Sequence, residues 1–208
     1  MPITYPLTAP LSPKPRAMDL RGRAVVAHSR SPFTGDGDVQ VHAGQWWEIE
    51  ITLPAMDRAE AEAWNTFLLK LNGKEGTFLI GDRSSDAPRG SAGGTPLVKG
   101  ASQTGNDLNT DGWPVSITGV LLAGDYIQLG TAATARLYKL LDDANSDGIG
   151  DSTLTLWPEI TTATSPADNA PIVTSSAVGL FRLASNDMPW EVNEALFYAV
   201  TLAAISEV

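Results

Sequence analysis

The chain has 208 residues, no cysteine and 43% hydrophobic residues, which is enough apolar side chain for a real core in one large domain or two small ones. The lack of cysteine excludes disulfides, thiolate chemistry and cysteine-ligated metal sites. A formal net charge of −10 argues against binding to nucleic acid or to an anionic membrane surface. No apolar run approaches the length of a membrane span, and no secretion signal is recognisable at the N-terminus.

The N-terminal part of the chain predicts an extended proline-rich segment followed by two strands. Residues 1–22 are rich in proline, which favours extended backbone that cannot pair fully inside a sheet, and we expect this segment to lie on a neighbouring subunit. Strands are then predicted at Arg23–His28 and Val39–His42, around a turn over residues 31–38. The prolines are Pro2, Pro6, Pro10, Pro13 and Pro15.

A strand, a helix and a second strand follow between residues 45 and 82. In Gln45–Leu53 apolar and polar residues alternate, which is typical of a half-buried antiparallel strand. Asp57 and Glu60 resemble a capping box that begins a helix over residues 57–71, and Asn72 with Gly73 ends it. The apolar stripe of this helix is Trp64, Phe67, Leu68 and Leu71, while Arg58, Glu62, Asn65 and Lys70 are expected to be exposed. Gly76–Asp82 is the second strand.

The remaining chain predicts an inserted β-domain. Residues 84–95 and 161–170 have the composition of linkers. Short strands are expected between them at Pro96–Val98, Pro114–Leu122, Tyr126–Leu129, Arg136–Leu141 and Thr153–Trp157. Longer strands return at Gly179–Leu183 and Leu196–Ile205. We therefore predict a core domain formed by residues 1–88 and 172–208 and an inserted small β-barrel or sandwich over residues 89–171.

Two segments that begin at Asp107 and Asp143 share the pattern Asp-x-Asn-x-Asp-Gly, the first half of an EF-hand calcium loop. Neither segment has the bidentate glutamate at position twelve, and both lead into predicted strands. Tight turns select the same residue types, so β-turns are the preferred interpretation. A calcium site remains the alternative for the second segment, through Asp143, Asn145, Asp147 and Asp151.

Catalytic patterns are weak in this sequence. The two histidines, His28 and His42, lie in predicted strands, and no nucleophile elbow accompanies them. We expect no enzymatic activity and no cofactor. Among six tryptophans, four lie outside the predicted periodic core positions: Trp46, Trp113, Trp157 and Trp190. Structural packing or a subunit interface is the preferred interpretation, and Trp113 and Trp157 are the candidates for partner or glycan contact.

Several segments carry a resemblance to a known family. They are Leu71–Asp82, Leu121–Gly130, Arg136–Leu140, Leu156–Pro158 and Phe181–Leu183, with Glu207 near the end. In these segments the chain resembles the distal tail proteins and minor tail proteins of long-tailed bacteriophages. The resemblance implies a mainly β fold with one helix: a tail-tube-like β-sandwich or split barrel, with a small inserted β-domain.

The resemblance also implies a function. Such a protein would be a structural virion protein, made in the host cytoplasm and placed at the distal end of the tail. It would form a hexameric ring that connects the tail tube to the hub and to fibre or receptor-binding proteins. The alternative is a carbohydrate-binding module or a host-surface-binding accessory domain, in which Trp113 and Trp157 would contact a host glycan.

Overall fold

The computed structural model describes residues 3–10, 12–193 and 197–207, and in that part of the chain it shows a mainly β protein with one α-helix. The predicted fold class is confirmed. The strands are β1 (Leu7–Thr8), β2 (Ala17–Arg30), β3 (Gly37–Thr52), β4 (Thr77–Ile80), β5 (Leu97–Val98), β6 (Gly105–Asp111), β7 (Tyr126–Leu129), β8 (Arg136–Leu140), β9 (Ser152–Ile160), β10 (Ile172–Val173), β11 (Gly179–Leu183), β12 (Glu191–Val192), β13 (Tyr198–Ala199) and β14 (Thr201–Ser206).

The first sheet has six strands in the order β1-β4-β11-β14-β3-β2. Only the β1–β4 pair is parallel within this sheet. Its buried face includes Trp47, Ile49 and Ile51 of β3, as the alternation predicts. Leu53, which directly follows β3, is buried too. The strand itself is longer than predicted, because β3 begins at Gly37 and not at Gln45.

The helix α1 (Arg58–Leu71) covers the buried face of this sheet. The Asp57 carboxylate accepts a hydrogen bond from the Glu60 amide at 2.9 Å, and Asn72 ends the helix in the left-handed conformation with φ of 52°. The predicted apolar stripe is buried, as expected: Trp64, Phe67, Leu68 and Leu71. The expectation for Asn65 is wrong, since this side chain is 6% exposed and lies beside the stripe, and its Oδ1 has no hydrogen-bond partner.

Aromatic rings connect the helix to the middle of the sheet. Trp64 contacts Phe67 with 5.8 Å between ring centroids, and Phe67 contacts Phe78 of β4 at 5.4 Å. Phe78 in turn lies 6.4 Å from Phe181 of β11. The core therefore joins chain segments that are about a hundred residues apart in sequence.

The second sheet also has six strands, in the order β10-β7-β8-β9-β6-β5. All its strands come from residues 97–173, whereas those of the first sheet come from both sides of that segment, which is the arrangement an insertion produces. The predicted limit at residue 171 is slightly short, because Ile172 is buried in the second core and pairs with Leu129.

One strand prediction and one turn prediction in this region are wrong. Residues 114–122 form turns, although Val120 and Leu121 are buried. The Val120 amide donates to the Ala144 carbonyl, and the Ala144 amide donates to the Leu121 carbonyl, which makes one isolated bridge to a facing loop. The apolar side chains here fill the core, but their backbone is not part of a strand. Conversely, the polar segment Gly105–Asp111 is the strand β6, paired with β9. Its Asp and Asn side chains suggested a turn.

The two sheets are joined by shared core residues and direct hydrogen bonds. Tyr126 and Leu137 of the second sheet are buried in the core of the first. The indole Nε1 of Trp47 donates to the Leu137 carbonyl at 2.9 Å, and the Leu180 amide donates to the Ala135 carbonyl at 3.0 Å. The inserted segment is therefore docked on the first sheet through buried contacts.

The N-terminal residues pack on their own chain. Leu7 pairs with Phe78, Ala9 is buried, and the Tyr5 hydroxyl donates to the Lys70 carbonyl at 2.8 Å. Residues 3–10 therefore lie on the body of their own chain, and the expected contact with a neighbouring subunit stays a prediction; Pro2 lies outside the described residues. The start of the predicted strand Leu196–Ile205 also lies outside them, and the described remainder forms β13 and β14.

Candidate assembly interface

The long hairpin of β2 and β3 extends beyond the first sheet. The neighbouring strand β14 pairs with β3 between Thr52 and Glu48, and its Ser206 hydroxyl accepts the last bond, from the Trp47 amide at 2.9 Å. Beyond Trp47, β3 pairs only with β2 among the described strands. Residues 23–46 therefore form a two-stranded ribbon, which we call the arm; at the usual rise per residue it is about 30 Å long.

One face of the arm is apolar. Val26 pairs with Val41, and His28 pairs with Val39, and directly opposed residues lie on the same face of a sheet. The register makes this face a continuation of the face that carries Trp47 within the core. The opposite face is more polar: Gln40 pairs with Ala27 there, and Asp38 pairs with Ser29. Val39 and Val41 are 57% and 69% exposed, so no other described residue covers these two side chains.

The tip of the arm presents an aromatic ring. Phe33 is 95% exposed. Hydrogen bonds within the turn fix its conformation. The Ser31 amide donates to the Asp36 carbonyl at 2.8 Å, and the Ser31 hydroxyl accepts from the Phe33 amide at 3.3 Å. An exposed ring on an ordered turn is typical of residues that bury themselves in a partner.

The root of the arm is fixed by ion pairs. Arg23 pairs with Glu48 at 2.9 Å, and Arg21 pairs with Glu50 at 3.2 Å. The hydrogen bond from the Arg23 guanidinium lowers the pKa of Glu48 from its ordinary value, so the pair stays charged at neutral pH. These partly exposed pairs set the register more than they stabilise the fold.

Trp157 of the second sheet packs on the base of the arm. Its ring meets the Trp47 ring edge-on, with 4.4 Å between centroids, and lies directly on Gly22. The Gln45 side chain accepts a hydrogen bond from the Glu159 amide at 2.9 Å. Trp157, predicted as a partner-contacting residue, is half-buried and supports the arm from below.

Trp113, the other predicted contact residue, lies inside the second core. It is 4% exposed, and its indole Nε1 donates to the Thr110 hydroxyl at 2.8 Å. The sequence could not reveal this, because Trp113 follows a polar strand and precedes a proline. Its ring face is not available at the surface for stacking on a sugar.

The calcium candidates lie in the loop before β9, and their oxygens already have partners. Asp143 accepts from the Ala123 amide and Asn145 from the Gly119 amide, each at 2.8 Å. Asp147 accepts from two amides of its own loop, and these bonds, led by the one from Asp151, lower the pKa of its carboxyl. The loop is thus organised by side-chain caps of backbone amides.

A lysine lies at the place where a cation would be expected. The Lys99 ammonium pairs with Asp151, and this contact raises the pKa of Lys99. In the first segment, Asp107 and Asn109 lie on β6, and their side chains accept hydrogen bonds from threonine hydroxyls of β9. No group of three or more histidine, aspartate or glutamate side chains is placed to hold a metal ion within the described ranges.

Comparison with protein families and with curated proteins identifies no relative. No protein-family model matches this chain, and no curated protein matches it. In the portion that the structure describes, no helix combines the length and the apolarity needed to cross a bilayer. The resemblance to phage tail proteins therefore stays a prediction.

Sequence reasoning located the strands of the arm but missed that they leave the sheet. Alternation shows which residues share a face, yet it does not show whether a further element covers that face. One signal was present: apart from Gln45, the alternate positions from Trp47 through Val41 to Val39 are apolar, and with the strand that follows they make a run longer than a typical strand.

Proposed function

We propose that this protein is a structural, non-enzymatic component of a phage-like tail tip. In this proposal six copies form a ring at the distal end of the tail, which connects the tail tube to the hub and to fibre or receptor-binding proteins. The observation that carries the proposal is the arm, residues 23–46, with its uncovered apolar face.

An isolated two-stranded ribbon is at best marginally stable in water, because it buries too little surface. The arm nevertheless keeps a regular ladder from Val26–Val41 to Arg30–Gly37. A partner that covers Val39 and Val41 would supply the missing burial. This requirement supports an assembly function over that of a free-standing monomer.

A second copy of the chain is the occupant that fits best. The arm carries two arginines and two aspartates and is formally neutral, whereas the whole chain has a net charge of −10. A neutral, apolar projection reaches another acidic copy with less repulsion than an acidic surface would. Contact between an arm and a different patch of the next copy is heterologous, which is the contact type that closes rings.

The second sheet is the candidate for contact with the other tail proteins. Val115 and Ile149 are 58% and 75% exposed. Their loops lie side by side, because the Ser116 amide donates to the Asp147 carbonyl at 2.7 Å. A small apolar patch on adjacent ordered loops is suited to a protein partner.

Light scattering and negative-stain imaging of the purified protein, alone and with tail tube protein, test the proposal. We expect a six-fold ring, either free or on the end of a tube. The double substitution V39T/V41T keeps the β-branched shape and removes apolar surface. We expect it to weaken the binding free energy between one arm and the neighbouring copy by about 2 kcal/mol, which raises the dissociation constant roughly thirtyfold.

The matched control is V192T, which makes the same kind of change at an exposed position outside both the arm and the patch of Val115 and Ile149. We expect this control to form rings like the unmodified protein. A wild-type protein that stays monomeric and joins no tail assembly would overturn the proposal. Unchanged ring formation by V39T/V41T would remove the arm as its interface.

The alternative, a glycan-binding module, is less well supported. The two tryptophans predicted to contact a glycan do not offer a free ring face, because Trp113 is buried and the Trp157 ring is packed on Gly22 and Trp47. A melting temperature that rises with a host glycan would nevertheless favour this alternative.

A further inference from the structure

A cavity of about 270 Å³ opens at the edge of the first sheet opposite the arm. It lies between the edge strand β1, the end of β4 and the segment 176–178 that precedes β11. Exposed residues line its opening, so a side chain from outside can reach it: Thr8, Asp86 and Ser176. The described lining also includes five apolar residues: Ala9, Leu79, Ile80, Ala177 and Val178.

The cavity and the arm lie at the same end of the sheet. One row of paired residues crosses the sheet from β2 to β4: Arg21, Glu48, Ile205, Arg182 and Thr77. Both β2 and β4 run from this row toward the tip of the arm. Val26 of the arm and Asp82 of the cavity are equally far beyond the row along the chain. The valines of the arm and the cavity are therefore at about the same height, at opposite edges of one sheet.

A projection and a recess at equal height on opposite edges match the two halves of a heterologous contact. When two copies stand side by side in the same orientation, the arm of one copy comes next to the cavity of the other. An apolar cavity of roughly 150 Å³ is enough to hold a benzene-sized group, so this cavity has room for valine side chains.

The charges beside the two surfaces are complementary. Arg30 lies on the same face of the arm as Val26, since the two are an even number of residues apart in one strand. Asp86 lines the cavity. Within the described residues, neither Arg30 nor Asp86 takes part in an ion pair. Contact between two copies would give each of them a partner of opposite charge.

We propose that the valine face of one copy's arm covers this cavity on the next copy, with Arg30 beside Asp86. The inference rests on the proposed function, because it names the place where the arm binds within the ring. Val39 and Val41, which are 57% and 69% exposed in the single chain, become buried in this contact. Their burial supplies the apolar stabilisation that the isolated ribbon lacks.

Paired cysteine substitutions test the contact, since the chain has no cysteine of its own. The full-length variant V41C/S176C is treated with a short bismaleimide, which joins thiols whose Cα atoms are farther apart than the limit of about 7 Å for a disulfide. Denaturing electrophoresis then separates the products. We expect a ladder of up to six chains, because each copy is linked to two neighbours. V41C alone and S176C alone can join two chains at most.

The matched control is V41C/I149C, whose second cysteine replaces an exposed residue on a loop of the second sheet. It should give no product larger than two chains. T8C/V41C repeats the test at the exposed Thr8 of the lining and keeps it valid if V41C/S176C misfolds.

A charge exchange is the second test. R30E and D86R should each weaken association by about threefold to tenfold, because each variant brings like charges together. The combination R30E/D86R should recover most of this loss, measured as oligomer mass against concentration by light scattering. A combination that associates no better than the single variants would contradict the pairing of Arg30 with Asp86.

Failure of this contact and failure of the ring give different results. A wild-type protein that stays monomeric overturns the ring, and this contact with it. If the wild type forms rings but V41C/S176C and T8C/V41C give only the products of V41C/I149C, the cavity is not the binding site of the arm, while the proposed function stands.

Discussion

At the scale of single residues, Gly22 shows how closely the arm is fitted to the body. A Cβ atom at this position would lie 2.6 Å from the Cη2 atom of Trp157 and 3.0 Å from its Cζ2 atom. The Trp157 ring cannot retreat freely, because its edge-on contact with Trp47 lies 4.4 Å between centroids. Glycine is therefore required here by the close approach of a ring.

We expect Gly22→Ala to lower the free energy of unfolding by about 1–3 kcal/mol, since the added methyl must displace a packed indole. Urea unfolding measures this loss. Gly148→Ala is the matched control, because a Cβ atom there meets nothing within 4 Å. Equal stability of the two variants would show that Trp157 has room to move.

At the scale of elements, the helix depends on its N-cap. The Asp57 carboxylate holds the Glu60 amide, and the buried stripe holds the rest of the helix on the sheet. The cap satisfies one of the free amides of the first turn, and its charge also suits the positive end of the helix.

Asp57→Ala should therefore cost about 1 kcal/mol of unfolding free energy, measured by urea denaturation. Glu62→Ala is the control on the same helix, where it removes only an exposed pair with Arg58 and should cost less than about 0.5 kcal/mol. If both substitutions cost the same, the Asp57 hydrogen bond contributes nothing beyond surface charge.

The helix and the Trp47 strand could be predicted because their periodicity decides which face is buried. The strand β6 could not, since its Asn109 and Asp107 favour turns in isolation; the threonine hydroxyls of β9 that pair with them come from more than forty residues later. The buried Trp113 and the projecting arm have the same explanation. Whether a face or a ring is covered depends on distant segments that local patterns do not specify.

At the scale of the whole molecule, the two sheets share part of one core. Leu137 belongs to the second sheet, yet its side chain is 4% exposed within the first core and its carbonyl accepts the Trp47 indole. A change at Leu137 should therefore affect both sheets together.

We expect Leu137→Ala to lower the free energy of unfolding by about 2–5 kcal/mol and to leave a single transition, with tryptophan fluorescence and far-ultraviolet circular dichroism coinciding. Leu141→Ala is the control, because Leu141 is 48% exposed and should lose less than about 0.5 kcal/mol. Two separate transitions in wild type or variant would show that the sheets unfold independently.

The outer edge of β2 has a consequence for how copies of the chain meet one another. An uncovered edge strand invites open-ended growth, in which chain after chain adds by strand pairing. Here the register of β2 with β3 shifts between Ala24 and Val26. A broken ladder makes edge-to-edge stacking of identical copies unfavourable. Newly made chains are thereby protected from fibrous aggregation, while the valine face of the same hairpin stays exposed.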